Sequence, residues 1–291
     1  MVKRFLCVLG LCVVAAAPAP AWGGDGHRFI LDRAIAQLPP ELRPFFEKHR
    51  AFLLEHASDP DLWAGVGFAE EETRHFIDLD AYGAYPFATL PRELGQAIRQ
   101  VGPETVTRRG TLPWRTDEIS GRLLRAFSGS RGPNLDDVRY LSMVLAHYVA
   151  DAYVPFHAVT DYDGQLTGQT GIHSRFESEL FRRYSSSLSI TPGVVRDVPS
   201  VRDLMFDALV VSFDRASAVL AADREAAAGR DAYDDAYFKM LFEKTRPVLE
   251  RRVGDAITAV ASALTSLWQQ AGKPALPLEQ PPRRARPIVR K

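Results

Sequence analysis

Apolar residues in this chain recur at steps of three and four far more than they alternate, so the pattern predicts helices with little strand. Between residues 233 and 270 the series Leu249, Val253, Ile257, Val260, Leu264 and Leu267 marks one face of a long amphipathic helix. A second long helix is predicted over 200–227. Upstream, residues 27–37 and 41–56 carry the same period, separated by Pro39-Pro40, and 92–101 and 114–127 give shorter helices. Asn134 reads as the N-cap of a helix to about residue 153, with Asp136 and Asp137 in the first turn where they suit the helix dipole; Pro155 stops it. Residues 173–187 form another helix with one apolar and one polar side. With no internal repeat and no clear linker, the pattern predicts an all-α, single-domain multi-helix bundle over residues 22–271.

Both ends depart from this pattern. Lys3 and Arg4 precede an apolar stretch, 5–17, too short to span a bilayer, and Ala19-Pro20-Ala21 supplies the small residues of a cleavage site. Residues 1–21 are therefore expected to be a secretory signal peptide, with export to a periplasm or the exterior. Cys7 and Cys12 both fall inside it, so the mature chain would hold no disulfide and must rely on its core, on metal, or on both. Residues 272–291 carry five prolines and six basic side chains and are expected to be a disordered basic tail.

Over its 291 residues the chain is neutral, with 36 basic and 36 acidic side chains, which excludes bulk electrostatic attraction to nucleic acid or membrane. An apolar content of 46% excludes disorder over most of it. Removing the eight basic and one acidic residue of the two ends leaves a net charge of −7 on residues 22–271, a sign that suits a body holding cations.

The candidate chemistry lies in the histidines. His147 and Asp151 are four apart, one turn along one helical face, at the edge of the apolar stripe that Tyr140 and Val144 continue. A carboxylate partly buried there needs a partner or a cation. His157, just past the helix stop, can turn back towards the pair. His173 and Glu177 repeat the spacing of four. Asp59 and Asp61 with His75, Asp78 and Asp80 form a third cluster, and Trp22, Asp25 and His27 a fourth. For any one of these, a surface His–carboxylate pair is the plain alternative. Imidazole and carboxylate in several groups, without thiols, are the donor set of a catalytic multinuclear zinc site. His49 and His56 stand outside these groups and are assigned to surface or packing roles.

In chain order, Trp22, His27, Asp61, His75, His147, Asp151, His157, His173 and Glu177 resemble the signature of the zinc-dependent phospholipase C and single-strand-specific nuclease superfamily of trinuclear zinc phosphodiesterases. That signature is a tryptophan exposed by signal cleavage, then His, a carboxylate, His, a His-x3-Asp-x5-His run, and a late His-x3-Asp/Glu. The match spans residues 22–177, and cleavage after Ala21 would leave Trp22 as the free amino terminus. The resemblance implies an all-α fold around three zinc ions. One would sit at Asp61, His75, His147 and Asp151. A second would take the Trp22 amino nitrogen and carbonyl oxygen with His27 and the bridging Asp151. The third would take His157, His173 and Glu177. Asp59 remains the alternative to Asp61. The implied reaction is hydrolysis of a phosphodiester by a zinc-activated water, with Asp61 as the catalytic residue that orients or deprotonates it.

Features outside the implied metal ligands bear on the substrate. The spacing from Trp22 to His27 is nuclease-like, whereas Glu177 and the short gap from His157 to His173 resemble the phospholipase branch. Phe76 and Asp78 match substrate-binding positions, which contact a base in the nucleases. Asp25 matches an acidic choline contact of some phospholipases, but Leu62 and Glu72 stand where that cage has aromatic residues. The glycine-rich segment 161–171 is either a rim that hydrogen-bonds a head group or a plain connector, and Phe68, Phe76, Tyr82 and Tyr85 can stack on a base or line a lipid groove. Phospholipid is the favoured substrate, with transient contact to a membrane surface, and single-stranded nucleic acid is the alternative. A monomer is expected. A non-catalytic exported zinc-binding protein is the reading from another class.

Overall fold

The computed structural model describes residues 22–130 and 132–278. The expected signal peptide, 1–21, and most of the expected basic tail lie outside the described residues. Helices run in the order α1 (Gly23–Gln37), α2 (Arg43–Lys48), α3 (Arg50–Glu55), α4 (Asp59–Trp63), α5 (Leu94–Val101), α6 (Pro103–Arg108), α7 (Leu112–Phe127), α8 (Leu135–Asp151), α9 (Ile172–Ser174), α10 (Leu180–Tyr184), α11 (Val201–Ala227) and α12 (Asp235–Gln270). No strand occurs among the described residues, so the all-α expectation is met. No described helix is long and apolar enough to cross a membrane.

α8 is the axis of the bundle. Asn134 caps it, its side chain accepting the Asp137 N–H as the sequence predicts. Every residue from 141 to 151 is buried, the mark of a helix surrounded by others. α1, α7 and α12 pack along it. Burial corrects one expectation: His147 and Asp151 are not at the edge of a stripe but wholly inside, at 1% and 0% exposure. The neighbouring helices cover the polar side of α8 as well as the apolar one.

Polar groups of α11 and α12 secure the end of α8 that carries Asp151. The buried Arg252 donates to the carbonyl oxygens of Ala152, Tyr153 and Ala208 and to Ser212 Oγ, and Ser212 donates to Ala152 O at 2.6 Å. Helix-end carbonyls without intrahelical partners are thereby satisfied inside the core. Further along α12, Thr258, Ser262 and Ser266 stand one turn apart and accept the N–H groups of Gly193, Arg196 and Val198. This answers where an extended segment without a sheet places its backbone donors.

Element boundaries depart from the periodicity in three places. The helix expected over 41–56 bends at His49 into α2 and α3, although bonds from His49 N–H to Phe45 O and from Leu53 N–H to His49 O keep the chain helical. The helix expected over 173–187 starts at Ile172 and contains a π turn, Arg175–Glu179. α4 and α6 were not expected. Each carries a proline in its first turn, Pro60 or Pro103, where no N–H is needed.

Candidate metal centre

Eight of the nine expected ligand positions bring imidazole or carboxylate groups into three neighbouring sets: His27, Asp61 and His147; His75, His147 and Asp151; and His157, His173 and Glu177. Five stretches of chain deliver them: α1, α4, the segment after the 3-10 turn Ala69–Arg74, the end of α8 with its following turn, and the 172–179 helix. Asp151 is at the middle. Its Oδ2 lies 2.9 Å from His75 Nδ1 and 3.6 Å from His147 Nε2, and its Oδ1 lies 3.4 Å from His27 Nε2. Asp61 Oδ1 is 3.3 Å from His147 Nε2 and 3.7 Å from His75 Nδ1. The His27 ring stacks on His147 with centroids 4.0 Å apart, which brings it to Asp61 as well as to Asp151. In the third set, Glu177 Oε2 is 3.1 Å from His173 Nε2 and 4.0 Å from His157 Nε2.

The ring orientations are fixed from outside. His147 Nδ1 is 2.9 Å from Ala57 O, so it carries the proton and leaves Nε2 to face the carboxylates. His157 Nδ1 likewise donates to the His75 carbonyl oxygen, turning its Nε2 inward. Asp163 accepts the N–H groups of Gly171 and His173 and so holds the start of the 172–179 helix. Such outer bonds are how proteins aim metal-binding imidazoles.

What remains inside is a concentration of buried atoms that make no hydrogen bond among the described residues: Asp61 Oδ2, Asp151 Oδ1, His157 Nε2, His173 Nε2 and both Glu177 oxygens. Buried polar atoms are almost always satisfied, so six in one centre need an explanation. A set of divalent cations would supply it, and nitrogen and oxygen donors without thiolate fit zinc.

The electrostatics agree with that fit. Burial alone would lower His147, but Asp151 and Asp61 outweigh it and raise its pKa to about 9. Burial raises Asp151, and lifts Glu177 to about 7 although His173 and the Trp22 main-chain N–H act the other way. Burial also works to raise Asp61, yet His147 and His75 hold it below the usual carboxylate value. His157 is pushed well down by burial and by the adjacent His173. The carboxylates therefore demand positive charge in their midst, which protons on imidazole provide or a metal ion replaces.

Trp22 is wholly buried at the head of α1. Its indole Nε1 donates to Ala150 O at 2.8 Å and its carbonyl oxygen accepts the Gly26 N–H. The ring thus pins the Trp22 main chain beside Glu177. Asp59 stands apart, 2.8 Å from His56 Nδ1 and partly exposed, so of the two candidate aspartates it is Asp61 that reaches the histidines. Phe76 and Asp78 follow His75 in a stretch without regular secondary structure. Phe76 packs against Gly110, and Asp78 pairs with Arg109 at 3.3 Å. Burial raises Asp78 to about 6 against the pull of Arg109. Tyr82 is buried, whereas Phe68 and Tyr85 are exposed.

Sequence reasoning missed the layer behind the histidines. Glu71 is buried, accepts from Tyr148 Oη, and meets Arg74 at 2.7 Å and Arg115 at 3.7 Å. Tyr148 in turn touches the rings of both His75 and His147. Within the acidic run 70–72 nothing distinguishes the one buried glutamate from its solvated neighbours. No family model matches the chain, and no curated protein matches it.

Proposed function

We propose that this protein is an exported zinc-dependent hydrolase of phosphodiester bonds, phospholipase C-like, of the superfamily whose ligand signature its sequence resembles. The observation that carries the reading is Asp151: one fully buried carboxylate shared by three imidazoles from three separate stretches of chain, with a second buried set beside it. In this reading Asp61, His75, His147 and Asp151 hold one zinc ion, Trp22, His27 and Asp151 a second, and His157, His173 and Glu177 a third. Cleavage before Trp22 would present an amine where its main chain meets Glu177, because the indole bond to Ala150 fixes that position.

Bound zinc supplies Lewis acidity, activating water near neutral pH and neutralising phosphate oxygens. The chain's own residues do the rest. Asp61 stays ionised because His147 and His75 face it, and its Oδ2 has no other hydrogen bond to make, so it can orient a water and accept its proton. Helices packed around α8 keep bulk water from His147 and Asp151. Phe76 and Asp78 are the substrate contacts that the resemblance implies. The enzyme acts as a monomer with transient contact to a phospholipid surface.

A second reading keeps the same centre and gives it single-stranded nucleic acid, favoured by the nuclease-like spacing from Trp22 to His27. A third retains zinc without catalysis. The test is turnover of phosphatidylcholine, phosphatidylethanolamine and single-stranded DNA by zinc-loaded protein beginning at Trp22, with and without chelator. Chelator-sensitive release of phosphorylated head group supports the first reading and nucleotide release the second. Tightly held zinc with no turnover supports the third.

A further inference from the structure

We infer that residues 62–69 are a docking element that enters the outer layer of a phospholipid surface, with Arg122 at the level of the lipid phosphates. The inference deepens the phospholipase reading and rests on it, but vesicle binding is measurable without turnover. The segment, Leu-Trp-Ala-Gly-Val-Gly-Phe-Ala, has no charged side chain and one polar atom, the Trp63 indole nitrogen. It begins directly after Asp61 in the last residues of α4, turns through Ala64–Val66, and closes where the Phe68 N–H donates to Trp63 O at 3.0 Å. Among the described residues nothing lies within 4 Å of a Cβ added at Gly65 or Gly67, so the turn stands clear of the body. Leu62, Val66 and Phe68 are 63%, 70% and 55% exposed. Isolated exposed apolar side chains are ordinary, but three on one uncharged stub form a patch that calls for a partner.

What surrounds the patch sets the partner's chemistry. Trp63, Phe68 and Tyr140 share a cleft of about 350 Å³ with Arg74, Arg115 and Arg122 and with Glu70 and Glu71. Arg74 and Arg115 are occupied by Glu71, and Arg115 also by Glu118. Arg122, exposed on α7, meets no carboxylate at ion-pair distance among the described residues. Aliphatic tip, then tryptophan and tyrosine, then arginine is the order in which a leaflet offers acyl chains, interface and phosphate. Single-stranded nucleic acid would use aromatic faces, and of the three exposed side chains only Phe68 has one, while Leu62 and Val66 have none. Docking through this turn holds Asp61, its immediate neighbour in sequence, at the lipid surface.

The test is vesicle sedimentation of the protein as processed by an expressing host, so that wild type and variants share the same ends. On phosphatidylcholine vesicles, Val66→Asp and Phe68→Asp should each weaken partitioning about tenfold. Arg122→Gln should leave that value unchanged and cut the gain from added phosphatidylglycerol about fivefold. Trp22, Trp114 and Trp268 are buried, so a blue shift of wild-type emission on vesicles reports Trp63, and Trp63→Phe should abolish it. Unfolding midpoints and zinc content equal to wild type establish that the variants fold. Aspartate variants that partition like wild type, or a wild type that ignores both vesicles, overturn the docking element; the phosphodiesterase reading would then stand or fall on chelator-sensitive turnover of a water-soluble ester. Aspartate variants that lose oligonucleotide binding while vesicle binding is unchanged overturn it in favour of a nucleic-acid surface.

Discussion

Asp151→Asn removes one negative charge at nearly constant shape from the point where the ligand sets meet. The carboxylate is wholly buried and lies within 2.9–3.6 Å of His75, His27 and His147, so it would serve two of the three proposed ions. Glu177→Gln is the matched control: it is equally buried but its imidazole partners are His173 and His157 of one set. Burial holds both carboxylates above their ordinary pKa values, so in metal-free protein the neutral isosteres should cost little, about 1 kcal/mol or less. Zinc inverts the comparison. At about a thousand times its Kd, a ligand bound only by the native state contributes about 4 kcal/mol per site. For a domain of this size that is about 8–16 °C in Tm. Asp151→Asn should forfeit two such increments and Glu177→Gln one. Zinc per chain, measured by plasma emission after dialysis at fixed free zinc, should fall from three in wild type to two in Glu177→Gln and one in Asp151→Asn, with the Tm gains in step. Equal zinc content and equal gain in Asp151→Asn and wild type would refute the shared role of Asp151.

Arg252→Leu should cost about 3 kcal/mol in urea unfolding, because it strands the carbonyls of Tyr153 and Ala208 while relieving a buried charge whose pKa burial has already lowered to about 10. Asp78 has its pKa raised from 3.8 to about 6, so its contribution to stability is present below pH 3.8 and lost as pH rises through 6. Asp78→Asn should therefore gain on wild type by about 1–2 kcal/mol between pH 4 and pH 7.5, a discounted value for a group near solvent, and an unchanged difference across that range would count against it. Gly110→Ala should destabilise by about 3 kcal/mol or more, read as Tm, since φ is +86° and the new Cβ would lie 2.2 Å from Phe76 O. Retaining Ala21 before Trp22 would turn the proposed ligand amine into an amide; zinc titration should show one weakened site, and equal binding would remove Trp22 from the ligand set.

Periodicity was enough to place His147, Asp151 and His157 at one end of a helix, and the repeated spacing of four led to His173 and Glu177. The resemblance favours Asp61 over Asp59, since its distance to His75 along the chain fits that family better, and Asp61 is the one that reaches the histidines. Burial was the part that could not be read. Whether the polar side of α8 meets water depends on α1 and α12, elements remote in sequence on either side. The same holds for Glu71 and Arg252, whose partners Tyr148 and Tyr153 are remote in sequence, so their types and neighbours carry no local signal. The bend at His49 and the π turn at Arg175–Glu179 are similarly tertiary, since both keep helical bonding while redirecting side chains that a regular helix would place elsewhere.

His75 takes part in the centre twice, through its ring at Asp151 and through its carbonyl oxygen, which receives the proton of His157 Nδ1. The Ile77 N–H bond to His157 O, at 2.9 Å, ties the same two strands of chain together in the reverse sense. A few covalent bonds of main chain therefore act as a ruler between the ligand sets. Side-chain rotation alone cannot vary the gap, and one set cannot drift without dragging the other. A cation of different preferred spacing would have to deform the backbone around His75 to settle in both, so selectivity among metals can be built into a peptide unit as well as into the choice of donor atoms.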